Sequence, residues 1–318
     1  MLKYALKRLW ATVPTTFGIL VLTFVLFNVV GGSPAETLLG KNASAESVAA
    51  FNRKYGYDKP LLIGAGPGLA GRLDSQFFRF VGDLARGDLG YSIELDEPVA
   101  SVLKRGVGPS LSLTVPILLG GVALALMLAM VAASARGGAA DRAILVGSTV
   151  LMSVNYVVWV LAGQFFLSYK AGLFPVWGYQ GAAYLVLPVA IGILSSLGTD
   201  VRFFRAAILD EIYRPYVLTA RSKGLSRAAV LVRHVLPNAL IPIVTYVSLS
   251  IPYLFTGSLL LESFFGIPGL GSVSINAIHS ADMAVVRAVV VIGALLYQFV
   301  NLATDLLYAV LDPRMRIR

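Results

Sequence analysis

At 318 residues, 57% hydrophobic and 14% charged, with mean hydropathy +0.77, the chain falls far below the roughly 25% charged residues of soluble domains, which excludes a water-soluble globular protein. The formal net charge of +9 is read as the Lys/Arg excess of cytoplasmic membrane loops and not as nucleic-acid binding. Cysteine is absent and histidine occurs only at His234 and His279, which excludes a disulfide framework and a thiolate nucleophile and argues against a histidine metal cage.

In chain order, Lys3, Lys7 and Arg8 precede an uncharged run from Leu9 to Val30. Its roughly 22 residues cross about 30 Å of hydrocarbon at 1.5 Å per residue, and they exceed the 7–15 residues of a signal-peptide core. An uncleaved first transmembrane helix is expected. The segment 31–108 follows, about 78 residues, enough for a small folded cap but not for a large enzymatic domain. It starts with the turn-prone GGSP. Ser44 is placed to cap a helix through SAESVAAFNRKYG, with Glu46 near its positive end. GAGPGLAG, Gly64 to Gly71, reads as a flexible break, and QFFRFVGDLARGDLGYS reads as an amphipathic helix with a turn at Gly87 to Gly90. This insertion either packs over the outer mouth or docks an extracytoplasmic partner.

Five further spans are expected at 109–135, 143–169, 182–199, 238–261 and 289–311. Six spans put both termini on one side. With that side cytoplasmic, the inner segments hold Lys3, Lys7, Arg8, Arg136, Arg142, Arg314, Arg316 and Arg318 together with the cations of the fourth-to-fifth loop, whereas the two short outer segments hold only Lys170 and Arg287. The asymmetry fits the positive-inside rule.

The loop between the fourth and fifth spans, 200–237, concentrates Arg202, Arg205, Arg214, Arg221, Lys223, Arg227 and Arg233. Arg202 to Tyr213 reads as a continuation of the fourth span, broken at Pro215. Val217 to Lys223 reads as a short helix ended by Gly224, which tolerates a left-handed backbone. Ser226 then caps a second helix, Arg227 to Leu236, and Pro237 breaks it before the fifth span. Two short helices lying parallel to the membrane around a glycine hinge make a shaped docking knob for a cytoplasmic partner, where a plain interfacial helix would need one continuous apolar face.

No G-x-x-x-x-G-K-[ST], G-x-S-x-G or H-E-x-x-H run is present, so neither a P-loop nor a hydrolase or zinc-protease motif is available. No catalytic residue and no metal site is assigned. Gln298, Asn301 and Asp305 share one face of the last helix and should meet protein or water, through interhelical hydrogen bonds or by lining a path. Glu262, at the end of the fifth span, is placed either as an outer-vestibule residue or as an interfacial anchor.

Several runs together resemble the permease subunits of ABC importers of the dipeptide/oligopeptide/nickel family: LKRLWATVPTTFGILVLTFVLFNVVGGSPA at the start, GDLGYS at Gly87 to Ser92, YVLTARSKGLSRAAVLVRHVLPNALIPIVT, ESFFGIPGLG at Glu262 to Gly271, and NLATDLLYAVLDPRMR at the end. The match covers nearly the whole chain in order and is closest to the member of the permease pair with the long first outer loop. The resemblance implies an all-α integral membrane protein with six transmembrane helices, like a type I ABC importer permease, with a small extracytoplasmic insertion after helix 1. It implies that the central run is the coupling loop, EAA-x3-G-x9-I-x-L-P. Ala220, Gly224, Leu236 and Pro237 match that pattern, Leu218 and His234 stand at its Glu and Ile positions, and Thr219, Ala220, Arg221, Lys223 and Gly224 match the peptide-permease form of the motif, with Tyr216 and Leu225 on either side.

The partners implied are a second homologous permease subunit, cytoplasmic P-loop ATPase subunits holding ATP and Mg²⁺, an extracytoplasmic solute-binding protein and membrane lipid, in a bacterial or archaeal plasma membrane with both termini cytoplasmic. No cofactor is expected in this chain. Peptides are the expected cargo, with a nickel chelate or another small solute as the alternative. A self-contained channel or secondary transporter would need its own ion-coupling residues and would show inverted internal repeats. A membrane scaffold using the basic loop for docking would need no polar path.

Overall fold

The computed structural model describes residues 2–30, 43–92, 94–251, 254 and 258–311. The run GGSPAETLLG and the cations Arg314, Arg316 and Arg318 lie outside them. Helix α1 (Leu2–Val25) ends in one π turn (Leu26–Val30). Next come α2 (Ala45–Tyr55), α3 (Gly68–Leu73), α4 (Gln76–Ala85) and an antiparallel hairpin of β1 (Tyr91–Ser92) and β2 (Glu97–Pro98), in which Tyr91 pairs with Pro98 and Ser92 with Glu97. The long α5 (Val99–Ser134) leads to α6 (Ala139–Ser153) and α7 (Tyr156–Ala162), which continues as a π segment (Gly163–Lys170). Then follow α8 (Ala183–Ile212), α9 (Pro215–Ser222), α10 (Arg227–Val230), a π turn (Leu231–Val235), α11 (Leu236–Ser248), α12 (Leu259–Phe265), α13 (Leu270–His279) and α14 (Met283–Leu311).

The chain divides into two compact units, one of Met1–Gly106 with Val273–Arg318 and the other of Val107–Ser272. In the first unit α1 packs along α14. Arg8 near the start of α1 pairs with Asp305 near the end of α14 at 2.9 Å. Toward the other end, Phe24 stacks edge-on against Phe77 of α4 at 5.4 Å and meets Phe80 at 6.0 Å, and Arg287 of α14 lies over the Phe80 ring at 5.4 Å. α1 and α14 are therefore antiparallel.

The cap residues fold by local rules. Ser44 accepts a bond from the Ser47 N–H at 3.2 Å and so caps α2, which ends at left-handed Gly56. Ser75 caps α4 by accepting from the Phe78 N–H. The expected break at GAGPGLAG instead contains α3, closed by the Gly64 N–H donating to the Arg72 carbonyl at 2.9 Å. Buried Asp282 caps α14 by accepting from the Val285 N–H at 3.3 Å, and it also accepts from the Ser92 hydroxyl at 2.5 Å, which ties the hairpin to α14.

Five described helices are long and apolar enough to cross a membrane, within Arg8–Asn28, Val99–Ser134, Ala183–Ile212, Arg227–Ser248 and Met283–Asp305. Two helix pairs are bent, α6 with α7 by 89° and α12 with α13 by 83°. Because α1 and α14 run antiparallel, the number of crossings is even, so one of the two pairs crosses. Length decides which. The arms on each side of the α6–α7 bend have 15 residues, about 22 Å each, and a right-angled pair of that size reaches roughly 30 Å. α12 and α13, with 7 and 10 residues, reach only about 18 Å. The third expected span is thus a bent one and the total is six, while α12–α13 is re-entrant. Asn155 makes the first bend possible, its side-chain oxygen accepting from the Val157 N–H at 2.9 Å.

The fifth span departs from the expected 238–261 at both ends: it runs Arg227–Ser248, and residues 252, 253 and 255–257 of the expected range lie outside the described residues. Pro237 ends nothing: the chain is helical from Arg227 through Ser248, and Pro237 sits in the first turn of α11. The preceding π turn widens the ladder where proline lacks an N–H and its ring would strike the carbonyl four residues back. The second short helix of the basic loop therefore runs straight into the fifth span.

The second unit holds two cores. Ala125, Ala129 and Ala133 of α5, Leu197, Val201, Phe204 and Ile208 of α8, and Ala239 and Ile243 of α11 form one. The alanines, four apart, let backbones approach closely, as membrane packing requires. Leu113, Val160, Leu187, Ile191, Leu261, Phe265 and Ile267 form the other.

Glu262 lies against this second core with no solvent exposure. It is neither a vestibule residue nor an interfacial anchor. Its Oε1 accepts from the Ser110 hydroxyl at 2.8 Å and the Ser258 N–H at 3.0 Å, and its Oε2 accepts from the N–H groups of Gly271 at 2.6 Å and Ser272 at 3.1 Å. The Ser110 oxygen in turn accepts from the Leu270 N–H at 2.7 Å. The orphan donors at the start of α13 are thereby satisfied and its positive end faces a carboxylate. A side chain at Gly269 or Gly271 would collide with that carboxylate.

Glu262→Ala leaves four donors inside the protein without an acceptor. At 1–3 kcal/mol for each unsatisfied group, the variant is expected to lose at least about 3 kcal/mol of stability, read as a lower melting temperature of the purified chain in detergent. An unchanged melting temperature would contradict this role.

Candidate functional site

Two regions of the second unit carry functional geometry: the basic segment between α8 and α11, and a cavity deeper among the helices. α8 ends at Tyr213 and α9 begins with Pro215 at its first position, where proline's missing N–H costs nothing. α9 buries Val217 and Ala220 in the same core as Phe204, Val230 and Val235. Its opposite side is exposed, with Leu218 at 66% beside exposed Thr219, Arg221 and Ser222, and the exposed run continues through Lys223, Gly224, Leu225 and Arg227. Gly224 adopts φ +83° and its N–H donates to the Arg221 carbonyl at 2.9 Å, closing α9. Ser226 caps α10 through the Ala229 N–H at 3.3 Å.

Among the residues singled out from sequence, the fold separates two groups. Thr219, Arg221, Lys223, Gly224 and Leu225 form the exposed face. Ala220 is a packing residue, Tyr216 and Leu236 are half-buried, and Pro237 is exposed on α11. Tyr216 donates to the Glu211 carboxylate at 2.7 Å and accepts from the Asn238 amide at 3.3 Å, so it joins the end of α8 to the start of α11. Burial, reinforced by the bond to Glu211, pushes its hydroxyl pKa up to about 12, which keeps it a donor throughout the physiological range. Leu218, which a motif comparison marks only as a departure, is the most exposed apolar side chain of the face.

A buried ion pair stiffens the helices beneath this face. Asp141 of α6 and Arg205 of α8, with side chains 4% and 17% exposed, are joined by two bonds of 2.7 and 2.8 Å, and Asp141 also accepts from the Gly137 N–H at 2.8 Å. The Arg136 guanidinium lies 4.9 Å over the Tyr213 ring. Of the cations counted in the basic loop, Arg205 is therefore a structural partner and not part of the exposed face.

The cavity occupies about 390 Å³ between α5, α7, α8 and α11, lined in part by Thr114, Tyr156, Ser195, Ser196, Asp200 and Tyr246. The Tyr246 hydroxyl donates to Asp200 Oδ1 at 2.9 Å. The sequence reading ended the fourth span at residue 199 and so left Asp200 in the loop. α8 is continuous to Ile212, which puts Asp200 inside a membrane helix. A helix-period count carried past Thr199 to the next proline would have found it. α8 and α11 each contribute to both the cavity and the exposed segment.

The pathway residues expected from sequence lie elsewhere. Glu262 is sealed in the α12–α13 bend. Asp305 is paired with Arg8, and Gln298 and Asn301 are half-buried on α14. None lines this cavity, nor the one of about 690 Å³ in the first unit, which Phe27, Tyr57, Arg79, Phe80, Asp88 and Arg287 help to line. Among the described residues, no group of three or more Asp, Glu or His side chains is placed to hold a metal ion.

Residues 121–317 match the family described as "Binding-protein-dependent transport system inner membrane component", and residues 1–114 match its N-terminal companion, "Binding-prot-dependent transport system membrane comp, N-term". The chain is 30% identical to a probable peptide ABC transporter permease protein of Sinorhizobium fredii, over 98% of this chain and 99% of that one. It is 30% identical to a glutathione transport system permease protein of Shigella flexneri and 31% identical to one of Pectobacterium atrosepticum, in both cases over the full length of each chain.

The Asp141–Arg205 pair gives a test of the rigid link between α6 and α8. Removing one partner strands a buried charge, so Asp141→Ala and Arg205→Ala should each cost about 3–5 kcal/mol. The double variant should cost clearly less than their sum. Thermal unfolding of the detergent-purified chain through this cycle reads the coupling, and strict additivity would contradict a direct pair.

Proposed function

The chain belongs to the family of inner membrane components of binding-protein-dependent transport systems, and from that premise we propose that it forms half of the translocation path of an ATP-driven peptide importer. The family is one of multi-pass membrane permeases, and the six spans agree with it. Peptides are favoured as cargo because the relatives similar over their full length carry peptide and glutathione transport in their names. The relevant solutes are di- and oligopeptides or molecules of like size and polarity.

One observation carries the mechanism: the exposed face of α9 and α10 is fixed by its buried side to the same two helices, α8 and α11, that wall the cavity. A push on that face therefore moves the cavity wall. In this reading Leu218, Thr219, Arg221, Lys223, Gly224 and Leu225 seat in a cytoplasmic P-loop ATPase, which binds ATP and Mg²⁺, while this chain catalyses nothing. Closure of the ATPase pair shifts α8 and α11 and changes which side of the membrane the path faces. A second permease subunit completes the path. An extracytoplasmic binding protein delivers the solute against the cap formed by α2, α3, α4 and the β1–β2 hairpin. In this reading the α8–α11 segment and both termini face the cytoplasm, which the concentration of Lys and Arg in that segment supports.

The first experiment is co-purification of the tagged chain from mild detergent with its coexpressed ATPase. Arg221→Glu should abolish capture of the ATPase, and retention at the wild-type level would sink the docking assignment. Gly224 offers a second handle. Within this chain no atom lies within 4 Å of a Cβ added there, so inside the chain a substitution acts through its φ of +83°. Gly224→Val imposes roughly 1–2 kcal/mol or more of backbone strain, and peptide uptake by the assembled transporter should fall about tenfold while the chain still inserts. Gly224→Asn, which tolerates the left-handed region, should largely keep transport.

A further inference from the structure

The cavity of the second unit has an unusual charge balance. Its lining carries the hydroxyl groups of Thr114, Tyr156, Ser195, Ser196, Tyr246, Ser250 and Ser258, and one ionisable acid, Asp200. A carboxylate in a membrane helix is costly unless it meets a cation or a water-filled space, and such residues mark solute paths. The carboxylates Asp141 and Asp305 have cationic partners, and Glu262 has four hydrogen-bond donors. Asp200 has the hydroxyls of Tyr246 and Ser196, and it forms no ion pair among the described residues. The two arginines that follow it on α8 are turned to other partners, Arg205 to Asp141 and Arg202 to the Thr149 hydroxyl at 3.5 Å. The counter-charge for Asp200 is therefore left for something that enters the cavity. At about 390 Å³ the space falls within the roughly 300–1,000 Å³ typical of small-molecule sites.

We propose that Asp200 is a specificity-determining residue of the path, which receives the protonated amino group of the passing solute while the surrounding hydroxyls solvate the rest of it. The substrate class is a small solute with a free ammonium group, such as the N-terminus of a short peptide. This rests on the peptide-import reading and deepens it: the membrane subunit itself, and not only a binding protein, discriminates on the amine. A carboxylate accepting an N⁺–H bond is a strong, charge-assisted contact. The Tyr246 bond orients the carboxylate.

The test measures equilibrium binding of radiolabelled alanyl-alanine and of N-acetyl-alanyl-alanine to the full-length chain in lipid nanodiscs. The wild type should bind the free amine roughly 10- to 100-fold more tightly. Asp200→Asn keeps the shape and can still accept from Tyr246, yet it should erase the preference. Asp200→Glu and Tyr246→Phe, which keep the charge, should retain it. Equal binding of the two ligands by the wild type, no binding of either, or an amine preference surviving in Asp200→Asn would each overturn the proposal. The wild-type ligand comparison decides the matter even where a variant fails to fold. Uptake of alanyl-alanine by proteoliposomes holding the complete transporter runs in parallel. Absent uptake with the amine preference intact overturns the peptide-import reading alone, whereas normal uptake with no preference overturns the role of Asp200 alone.

Discussion

Inside hydrocarbon every backbone N–H and C=O must find a partner within the protein, and that constraint governs each place where this chain stops being a straight helix. The re-entrant bend between α12 and α13 is the most demanding case, because it exposes a fresh helix start at membrane depth. Glu262 and Ser110 supply the acceptors, the carboxylate taking two N–H groups of α13 and one from the start of α12 while the serine oxygen takes a third from α13. Asn155 does the same on a smaller scale at the α6–α7 bend. At Pro237 the ladder widens into a π turn instead of breaking. Without these substitutes the bends would not be tolerated, and α7, α8 and α12 would not meet around the core of Leu113, Ile191, Leu261 and Phe265.

In the importer reading, rigidity between the bends is what lets the segment after α8 act on the membrane helices. α8 runs 30 residues, about 45 Å, without interruption. Its middle walls the cavity through Gly192, Ser195, Ser196 and Asp200, and its end meets α9 through the Tyr216–Glu211 bond. The paired Asp141 and Arg205 hold it to α6 between those regions. A surface pressed at Leu218 or Arg221 cannot yield locally, since Val217 and Ala220 on its back are seated among Phe204, Val230 and Val235. In that reading displacement would pass to the long helices, because close-packed interiors transmit strain.

Much of this was legible in the sequence wherever the signal is local. Hydropathy found the spans, though not all their bounds, while Ser44 and Ser226 announced helix starts and Gly224 a left-handed turn, the last three matched by the local geometry. What was not legible depends on partners distant in sequence or on two local rules in conflict. Glu262 read as an interfacial residue because Ser110, its nearest side-chain partner, lies 152 positions away. Asp305 read as a candidate path residue until α1 brought Arg8 against it. Ala220 matched a docking motif, yet its side of α9 is the buried one. Proline's rule as a helix breaker lost at Pro237 to the apolar periodicity of α11, and the boundary set at residue 199 hid Asp200 inside a helix that continues past it.

The acidic residues show how the chain handles charge in a low-dielectric setting. Four of the carboxylates in the helical part of the chain are matched to partners that offset their charge. Asp141 has a bidentate guanidinium, Asp305 an arginine near the helix end, Asp282 a helix start with the Ser92 hydroxyl, and Glu262 a cage of N–H and O–H donors. In every one of these the compensation is built into the folded chain, so the charge serves architecture. Asp200 receives only neutral hydroxyls, from Tyr246 and Ser196, and faces a cavity. A hydroxyl offsets only part of the cost of a carboxylate at that depth, and the remainder is met by whatever occupies the space beside it. In the reading proposed for Asp200, an ammonium group meets it through a charge-assisted bond. That contact would select solutes bearing the group, and it would do so on α8, the helix that also packs against the buried side of α9 and α10.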